Sequence, residues 1–341
     1  MPIPPDQRYY MKLKALYYLY EKNYTQTDIA KLLNISRVTL GKLLDEAREE
    51  GMIKIEIVDV RGSMRILQLE ETLKQRFRLQ DIKLVDCQSP EPDSIMRRIA
   101  SEAAVYFEHQ LRDGMSLGLT WGRTLNSMVE HLPDNHTIHD LSVYTLVGGS
   151  SSSADFQPNI LAQKIIHKYS GSTRIITAPF MCQSAELCQA IKKEPPIASI
   201  LNASLDLDLT MVGIGEAPVR DAGHLSDYPF DTNIINELAD AGAAGDICGN
   251  FFDINGHLCD TSLRDRIVSI DIRDLHRHRK VIGVGGGPAK VKSVLGALNG
   301  HYLSVLITDV QTASQVIELA DQMAVPEDSA FSEQTERQTE S

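Results

Sequence analysis

The stretch QTDIAKLLNISRVTLGKLL, Gln26 to Leu44, decides how the head of this chain is read. Ile29 and Leu33 lie one helical turn apart, so the first helix carries an apolar stripe. Ala30 is small where two steeply crossing helices must approach closely. Asn34 stands at the turn, a position that favours positive φ and takes Gly first and Asn next. Ile35 plugs the turn, Ser36 is placed to cap the second helix, and Leu40 and Leu43 pack back on the first. This is the spacing of a helix-turn-helix, whose second helix enters the major groove by its N-terminal residues. The expected DNA contacts are Thr25 and Gln26 at the start of the first helix. On the second they are Ser36, Arg37, Val38, Thr39 and Lys42. The competing reading is an ordinary pair of core helices, which rarely combines all these offsets.

The flanks extend the pattern. Glu49-Glu50-Gly51 ends the second helix at a glycine. MIKIEIVDV (Met52 to Val60) then alternates like a strand and predicts the wing of a winged helix-turn-helix. Upstream, Gln7 to Lys22 reads as a helix with Leu13, Leu16, Leu19 and Tyr20 on one side. Its tyrosines suggest core and dimer packing rather than stacking on bases.

The 341 residues allow one small and one large domain. With 43% apolar and 23% charged residues, the composition is that of a globular protein. No run approaches the roughly 20 apolar residues of a membrane span, and MPIPPDQRYY lacks a signal pattern, so the expected location is the cytoplasm, with no membrane partner. Five scattered cysteines without C-x-x-C pairs predict free, mostly buried thiols. The net charge of −12 is unevenly spread. Residues 1–61 hold 10 basic and 9 acidic residues (+1), and the remainder holds 24 and 37 (−13). A near-neutral head can meet phosphates that an acidic body repels.

Beyond the head, Ile66, Leu69, Leu73 and Phe77 mark a linker helix. From residue 81 short apolar runs alternate with helices: strands at 81–86, 115–120, 141–149, 172–179, 207–215, 281–287 and 302–309, with helices between them. That alternation predicts an α/β fold around a largely parallel sheet, with ligands at the carboxyl ends of its strands. The expected organisation is a DNA-binding head over 1–61, a linker or oligomerisation helix over 62–80, an effector domain over 81–325 and a disordered polar tail over 326–341.

Glycine-rich strand ends carry the candidate chemistry. Gly118-Leu119-Thr120-Trp121-Gly122-Arg123-Thr124 opens a helix, and its amides, hydroxyls and cation suit a phosphate. Gly148-Gly149 followed by Ser150 to Ser153 is a second hydroxyl-rich loop or merely a flexible one. Gly283 to Gly287 with Lys290 is a third. It misses the dinucleotide spacing because Pro288 replaces the last glycine, although Asp309 ends the next strand where such a fold needs an acid. Asp246, flanked by glycines in Gly242 to Asp253, suits sugar hydroxyls or caps a turn.

The order helix-turn-helix, GLTWGRTL, LVGG, TAPF, MVGIG, GAAGDICGNFFD, VIGVGGGPAK and LSVLITD resembles the SorC/DeoR-type sugar-binding transcriptional regulators from Lys12 to about Leu319. The resemblance implies a winged helix-turn-helix joined to a Rossmann-like α/β effector domain similar to sugar-phosphate isomerases and CoA transferases. It implies double-stranded operator DNA and a phosphorylated sugar as partners, and a homodimer or homotetramer. The family's phosphate loop falls on Gly118, Thr120, Gly122, Arg123 and Thr124, its carboxylate contact on Asp246, and its lysine on Lys290. Thr120 and Gly41 replace the family's frequent Ser; Thr keeps the hydroxyl, whereas Gly41 loses a polar contact. The alternative is a sugar-phosphate isomerase or deaminase, but no acid–base pair or activated nucleophile emerges. The His-rich stretches 131–139 and 276–279 read as surface loops without metal-ligand spacing. No catalytic set, metal or cofactor is expected.

Overall fold

The computed structural model describes residues 5–60, 62–135, 137–149, 157–218 and 230–324. They form two compact units, Met1–Ser63 and Met64–Ser341. The tail from 325 and the serines Ser150 to Ser153 lie outside the described residues.

The first unit is helical. Helix α1 spans Pro5–Leu16 and widens into a π-helical turn over Tyr17–Glu21, so the expected helix to Lys22 does not remain an α-helix to its end. Helices α2 (Gln26–Leu32) and α3 (Arg37–Glu49) are the two halves of the helix-turn-helix. Ala15, Ile29, Ala30 and Leu40 form its core, with Leu19, Leu33 and Ile35 packed against them. Asn34 takes φ +53°, the left-handed conformation that the turn demands. The side of α1 facing this core is Lys12, Ala15 and Leu16. Leu13 and Tyr20, placed by sequence with Leu16, are instead exposed. Lys12 pairs with Glu46 and Glu50, and Arg8 with Glu46, clamping α1 onto α3. The Arg8 guanidinium holds the Glu46 carboxyl below the usual carboxylate range.

The wing is a correction. Residues 53–59 form no strand. A hairpin needs a second strand, and the described residues of this unit supply none before the next helix begins at Met64.

The second unit begins with α4 (Met64–Phe77) and β1 (Asp81–Val85). It continues with α5 (Pro92–Gln110), β2 (Ser116–Leu119), α6 (Arg123–His131), β3 (Leu141–Thr145), α7 (Pro158–Lys168), β4 (Gly171–Arg174), α8 (Ala185–Lys193), α9 (Pro195–Ala203) and β5 (Leu209–Gly213). Then come β6 (Gly215–Glu216), α10 (Thr232–Asp240), β7 (Ala243–Ile247), β8 (Asn250–Asp253), β9 (Val281–Val284), α11 (Val291–Asn299), β10 (Val305–Asp309) and α12 (Val310–Ala324). Seven strands make one parallel sheet in the order β1-β10-β9-β5-β2-β3-β4. Strands β6, β7 and β8 form a small antiparallel sheet that the sequence pattern does not predict.

Alternation along each strand sends side chains to opposite faces. Val305 and Ile307 join a core with α5, α6 and α7, whereas Leu306 joins another with α4, α11 and α12. The result is three layers with helices on both faces, which suits strands buried on both sides. Helix α4 docks on this body through Leu73 and Phe77, and Arg76 pairs with Asp321 of α12.

One histidine departs from the surface-loop expectation. His278 is only 6% exposed. Its Nε2 lies 2.8 Å from the Ser204 carbonyl, which can only accept, so Nε2 carries the proton. Nδ1 then accepts from the Thr210 hydroxyl at 2.7 Å. Burial lowers the His278 pKa below its ordinary 6.5. The unfolded chain therefore binds a proton that the folded one refuses. This contribution is present above pH 6.5 and is lost as pH falls from there through the depressed folded value. Thermal unfolding of wild type and His278→Gln across about pH 5 to 8 should show a stability gap that widens towards neutral pH; parallel curves would mean that His278 does not titrate on unfolding.

Candidate functional site

In the head, Thr25 caps α2 by accepting from the Asp28 amide at 3.2 Å, and Ser36 caps α3 by accepting from the Thr39 amide at 3.0 Å. Both are N-terminal caps of the kind that Ser and Thr favour. The Thr39 hydroxyl is joined to Ser36 at 2.8 Å and half-buried. Arg37, Val38 and Lys42 are exposed on α3, and Gln26 is exposed at the start of α2. At the acidic end of α3, Glu46 and Glu50 are paired with Arg8 and Lys12, and Arg37 and Lys42 define the charge of its N-terminal half. A Cβ added at Gly41 would meet nothing within 4 Å. Gly41→Ala should therefore stabilise the head by about 0.5–1 kcal/mol, measured by hydrogen exchange of α3 amides; a lower protection would mean that the glycine is needed by the backbone.

In the body, the sheet order places the site. From β2 the chain moves outward to β3 and β4, and from β5 it moves the other way to β9 and β10. The switch therefore falls between neighbours β2 and β5, where open α/β sheets bind ligands. A cavity of about 480 Å³ opens there. After β2 it is lined by Thr120 to Leu125, after β5 by Gly213 to Pro218, and after β9 by Gly286 to Lys290. The opening of α5 adds Asp93 and Met96, and the small sheet adds Asp246 and Cys248.

Six of the seven expected effector residues meet in this cavity: Thr120, Gly122, Arg123, Thr124, Asp246 and Lys290. Gly118 is not among its lining residues. It sits inside β2, where a Cβ would come 2.6 Å from the Thr210 hydroxyl, so close packing within the sheet requires the glycine. Pro90, Pro92, Asp93, Met96 and Glu216 were missed. The only hint was that they follow the carboxyl ends of β1 and β5.

The Thr120 hydroxyl accepts from the Gly213 amide at 3.2 Å, stitching β2 to β5 at the switch. A hydroxyl that accepts there still carries one O–H to donate. Gly122 begins α6 at φ +132°, a conformation open to glycine, and no side chain caps that helix. Its first-turn amides and Arg123 thus stand at the cavity, the arrangement that suits an anion. Lys290 follows the turn after β9, and its ammonium donates to the Ile214 carbonyl.

Asp246 is 2% exposed. Its Oδ2 accepts from the Gly249 amide at 3.0 Å, closing the two-residue Cys248-Gly249 turn of the β7–β8 hairpin. Both turn residues have positive φ, +58° and +74°, a type I′ geometry in which Cys248 is an unusual and strained occupant. Asp246 therefore caps a turn and also lines the cavity. A Cβ on Gly215 would fall 1.9 Å from its Oδ1, so β6 must carry glycine beside that carboxylate. Burial pushes the Cys248 thiol well above its ordinary range, with Asp246 adding to the effect.

Asp309, the acid of the rejected dinucleotide reading, is engaged inside the protein. Its Oδ2 accepts from the Gly287 amide at 2.8 Å and the Thr312 hydroxyl at 2.6 Å, and Oδ1 accepts from the Thr312 amide at 2.8 Å. It caps α12 and fixes the turn that presents Lys290. The Gly148–Gly149 segment is likewise held: the Gly148 amide donates to the Val268 carbonyl at 2.8 Å and the Gly149 amide to the Ala178 carbonyl at 2.9 Å. Among the described residues no cluster of His, Cys, Asp or Glu suits a metal ion, and no helix is long and apolar enough to cross a membrane.

A helix-turn-helix unit and an α/β unit with a cavity of mixed polar and apolar lining at its switch point define a ligand-responsive DNA-binding regulator. The family model described as "Putative sugar-binding domain" matches residues 63–318, and the chain belongs to this family of SorC-type sugar-binding transcriptional regulators. It is 29% identical over 315 residues to the sorbitol operon regulator of Klebsiella pneumoniae, covering 92% of this chain and 98% of that protein. It is 27% identical over 308 residues to the deoxyribonucleoside regulator of Bacillus subtilis, covering 90% and 97%. The crystal structure of full-length SorC from Klebsiella pneumoniae matches with a TM-score of 0.67 at 27% identity, covering 90% of this chain and 98% of that one.

Replacing Asp309 with Asn should cost about 1–3 kcal/mol, because a donor would face the Gly287 or Thr312 donors inside the protein. Chemical denaturation measures it; an unchanged midpoint would show that the carboxylate does not hold the turn.

Proposed function

We propose that a phosphorylated sugar, bound in the switch-point cavity, controls the operator affinity of this regulator of carbohydrate metabolism. The observation that carries the reading is the meeting of Thr120, Gly122, Arg123, Thr124, Asp246 and Lys290 around one cavity. The α6 N-terminus with Arg123 suits the phosphate, with Lys290 as a second cation. Asp246 and Asp93 offer acceptors to hydroxyls, as a polyol requires. Thr25, Gln26, Ser36, Arg37, Val38, Thr39 and Lys42 form the DNA-reading face, with Arg37 and Lys42 meeting phosphates in the cytoplasm.

Two heads on one pseudo-palindromic site multiply affinity through effective concentration. A ligand that changes subunit geometry can then alter the grip without touching the helix-turn-helix. The proposed assembly is therefore a homodimer or homotetramer.

The reading does not require catalysis. Cys248 in the cavity is held as a neutral thiol by burial, and a thiol in that state is a poor nucleophile. Among the described residues of this unit the buried histidine, His278, is engaged on both ring nitrogens with Thr210 and Ser204.

A panel of sugar phosphates screened by thermal unfolding should contain one that raises the melting temperature, since ligand at roughly 100 times its Kd adds about 2.7 kcal/mol. The same compound should shift operator affinity. Asp246→Asn and Lys290→Met should lose the shift and keep ligand-free operator binding; equal loss of both activities would make these residues structural. Arg37→Ala and Lys42→Ala should weaken operator binding and each reduce the salt slope by about one. Turnover of any sugar phosphate would favour the isomerase reading instead.

A further inference from the structure

Residues Met52 to Val60, MIKIEIVDV, have the alternation and β-branched content of a strand, yet the described residues of the first unit contain no strand for them to pair with. Ile55, Ile57, Val58 and Val60 are 55%, 76%, 74% and 86% exposed. An alternating apolar segment left in water is either an aggregation hazard or a pairing device. The segment's own charges distinguish these. Laid antiparallel against a second copy with Ile55 opposite Ile55, Lys54 falls opposite Glu56 and Glu56 opposite Lys54. Ile53 then meets Ile57, and Met52 meets Val58.

Neighbouring registers do worse. Centring on Glu56 sets Glu56 against itself, and centring on Lys54 sets Lys54 against itself; like charges directly opposite are destabilising. A shift that pairs Lys54 with Ile55 puts charge on the apolar side of the ribbon. The segment is thus self-complementary in one register, as an isologous two-fold contact requires.

We propose that residues 52–58 of two copies of this chain pair as an antiparallel β-ribbon with Ile55 on the two-fold axis, joining two DNA-binding heads. The proposal rests on the reading that heads act in pairs and names the contact that pairs them. A two-stranded ribbon is marginal alone and needs an apolar cover. The same unit provides one in the exposed side of α1 and the π-helical turn that continues it, where Tyr9 and Leu13, then Tyr17 and Tyr20, are 55%, 46%, 47% and 44% exposed.

Cysteine crosslinking in the full-length chain tests the register. Under mild oxidation Ile55→Cys should form a covalent dimer, because the residue faces its own copy. Ile57→Cys alone should not, but mixed with Ile53→Cys it should. The wild type, with its own thiols buried or half-buried, is the background control. Charge reversal tests the contact separately. K54E and E56K should each lower operator affinity by on the order of tenfold, since each sets two like-charge pairs face to face in the ribbon. An equimolar mixture of the two should recover it, because one copy then carries acids at both positions and meets a copy that carries lysines at both.

Tighter operator binding by E56K would identify the segment as a phosphate contact and overturn the ribbon. So would equal crosslinking by Ile55→Cys and Ile57→Cys, or none by Ile55→Cys in a protein whose mass is dimeric. These results leave the sugar-phosphate reading standing. Correct crosslinking without any ligand response would end that reading and leave the ribbon intact.

Discussion

Parallel pairing of β2 with β5 is the constraint on which the body depends. Because all seven strands run one way, their carboxyl ends share one edge, and every loop that leaves that edge is available to one cavity. The two neighbours send the chain in opposite directions, which opens space between their loops. The Thr120–Gly213 hydrogen bond closes the sheet at that point and sets the floor of the site. The turn after β9 is pinned by Asp309, so Lys290 is carried by a held segment rather than a free loop. Cavity residues separated by about half the chain therefore meet through sheet order alone.

Much of this was legible in sequence because its signals are local. The turn at Asn34, the caps at Thr25 and Ser36, and the alternating strands from residue 81 each follow from periodicity or from a single φ preference. What was not legible depends on partners far along the chain. Met52 to Val60 has a strand's pattern but no second strand, and alternation cannot report whether a partner exists. His278 looks like a loop residue until Ser204 and Thr210 are brought to its two nitrogens. Gly118 belongs to the right motif, yet its role is set by Thr210 across the sheet. Asp93 and Glu216 enter the cavity only once the sheet order is known.

Charge is divided in the same spatial manner. The Lys12 and Arg8 pairs with Glu46 and Glu50 occupy the seam between α1 and α3. Exposed pairs of this sort contribute little to stability, but Lys12 is nearly buried, so removing its partners would leave a desolvated cation. Their placement also offsets part of the negative charge at the acidic end of the recognition helix. The +1 head and −13 remainder then favour binding by the head alone.

On the function proposed above, the cavity serves a sensor rather than a catalyst. Catalysis demands an acid and a base held near the reacting atom with pKa values suited to their tasks. Here Asp246 is tied to the Gly249 amide and Cys248 is kept protonated by burial, while Asp309, behind the Gly287 turn and not among the lining residues, caps a helix. Each group is fixed by the backbone it supports. A ligand that drew on Asp246 would act on the β7–β8 turn, where Cys248 already sits in a strained conformation. Binding energy delivered there can be returned as a change in backbone geometry, which a regulator needs and a catalyst does not.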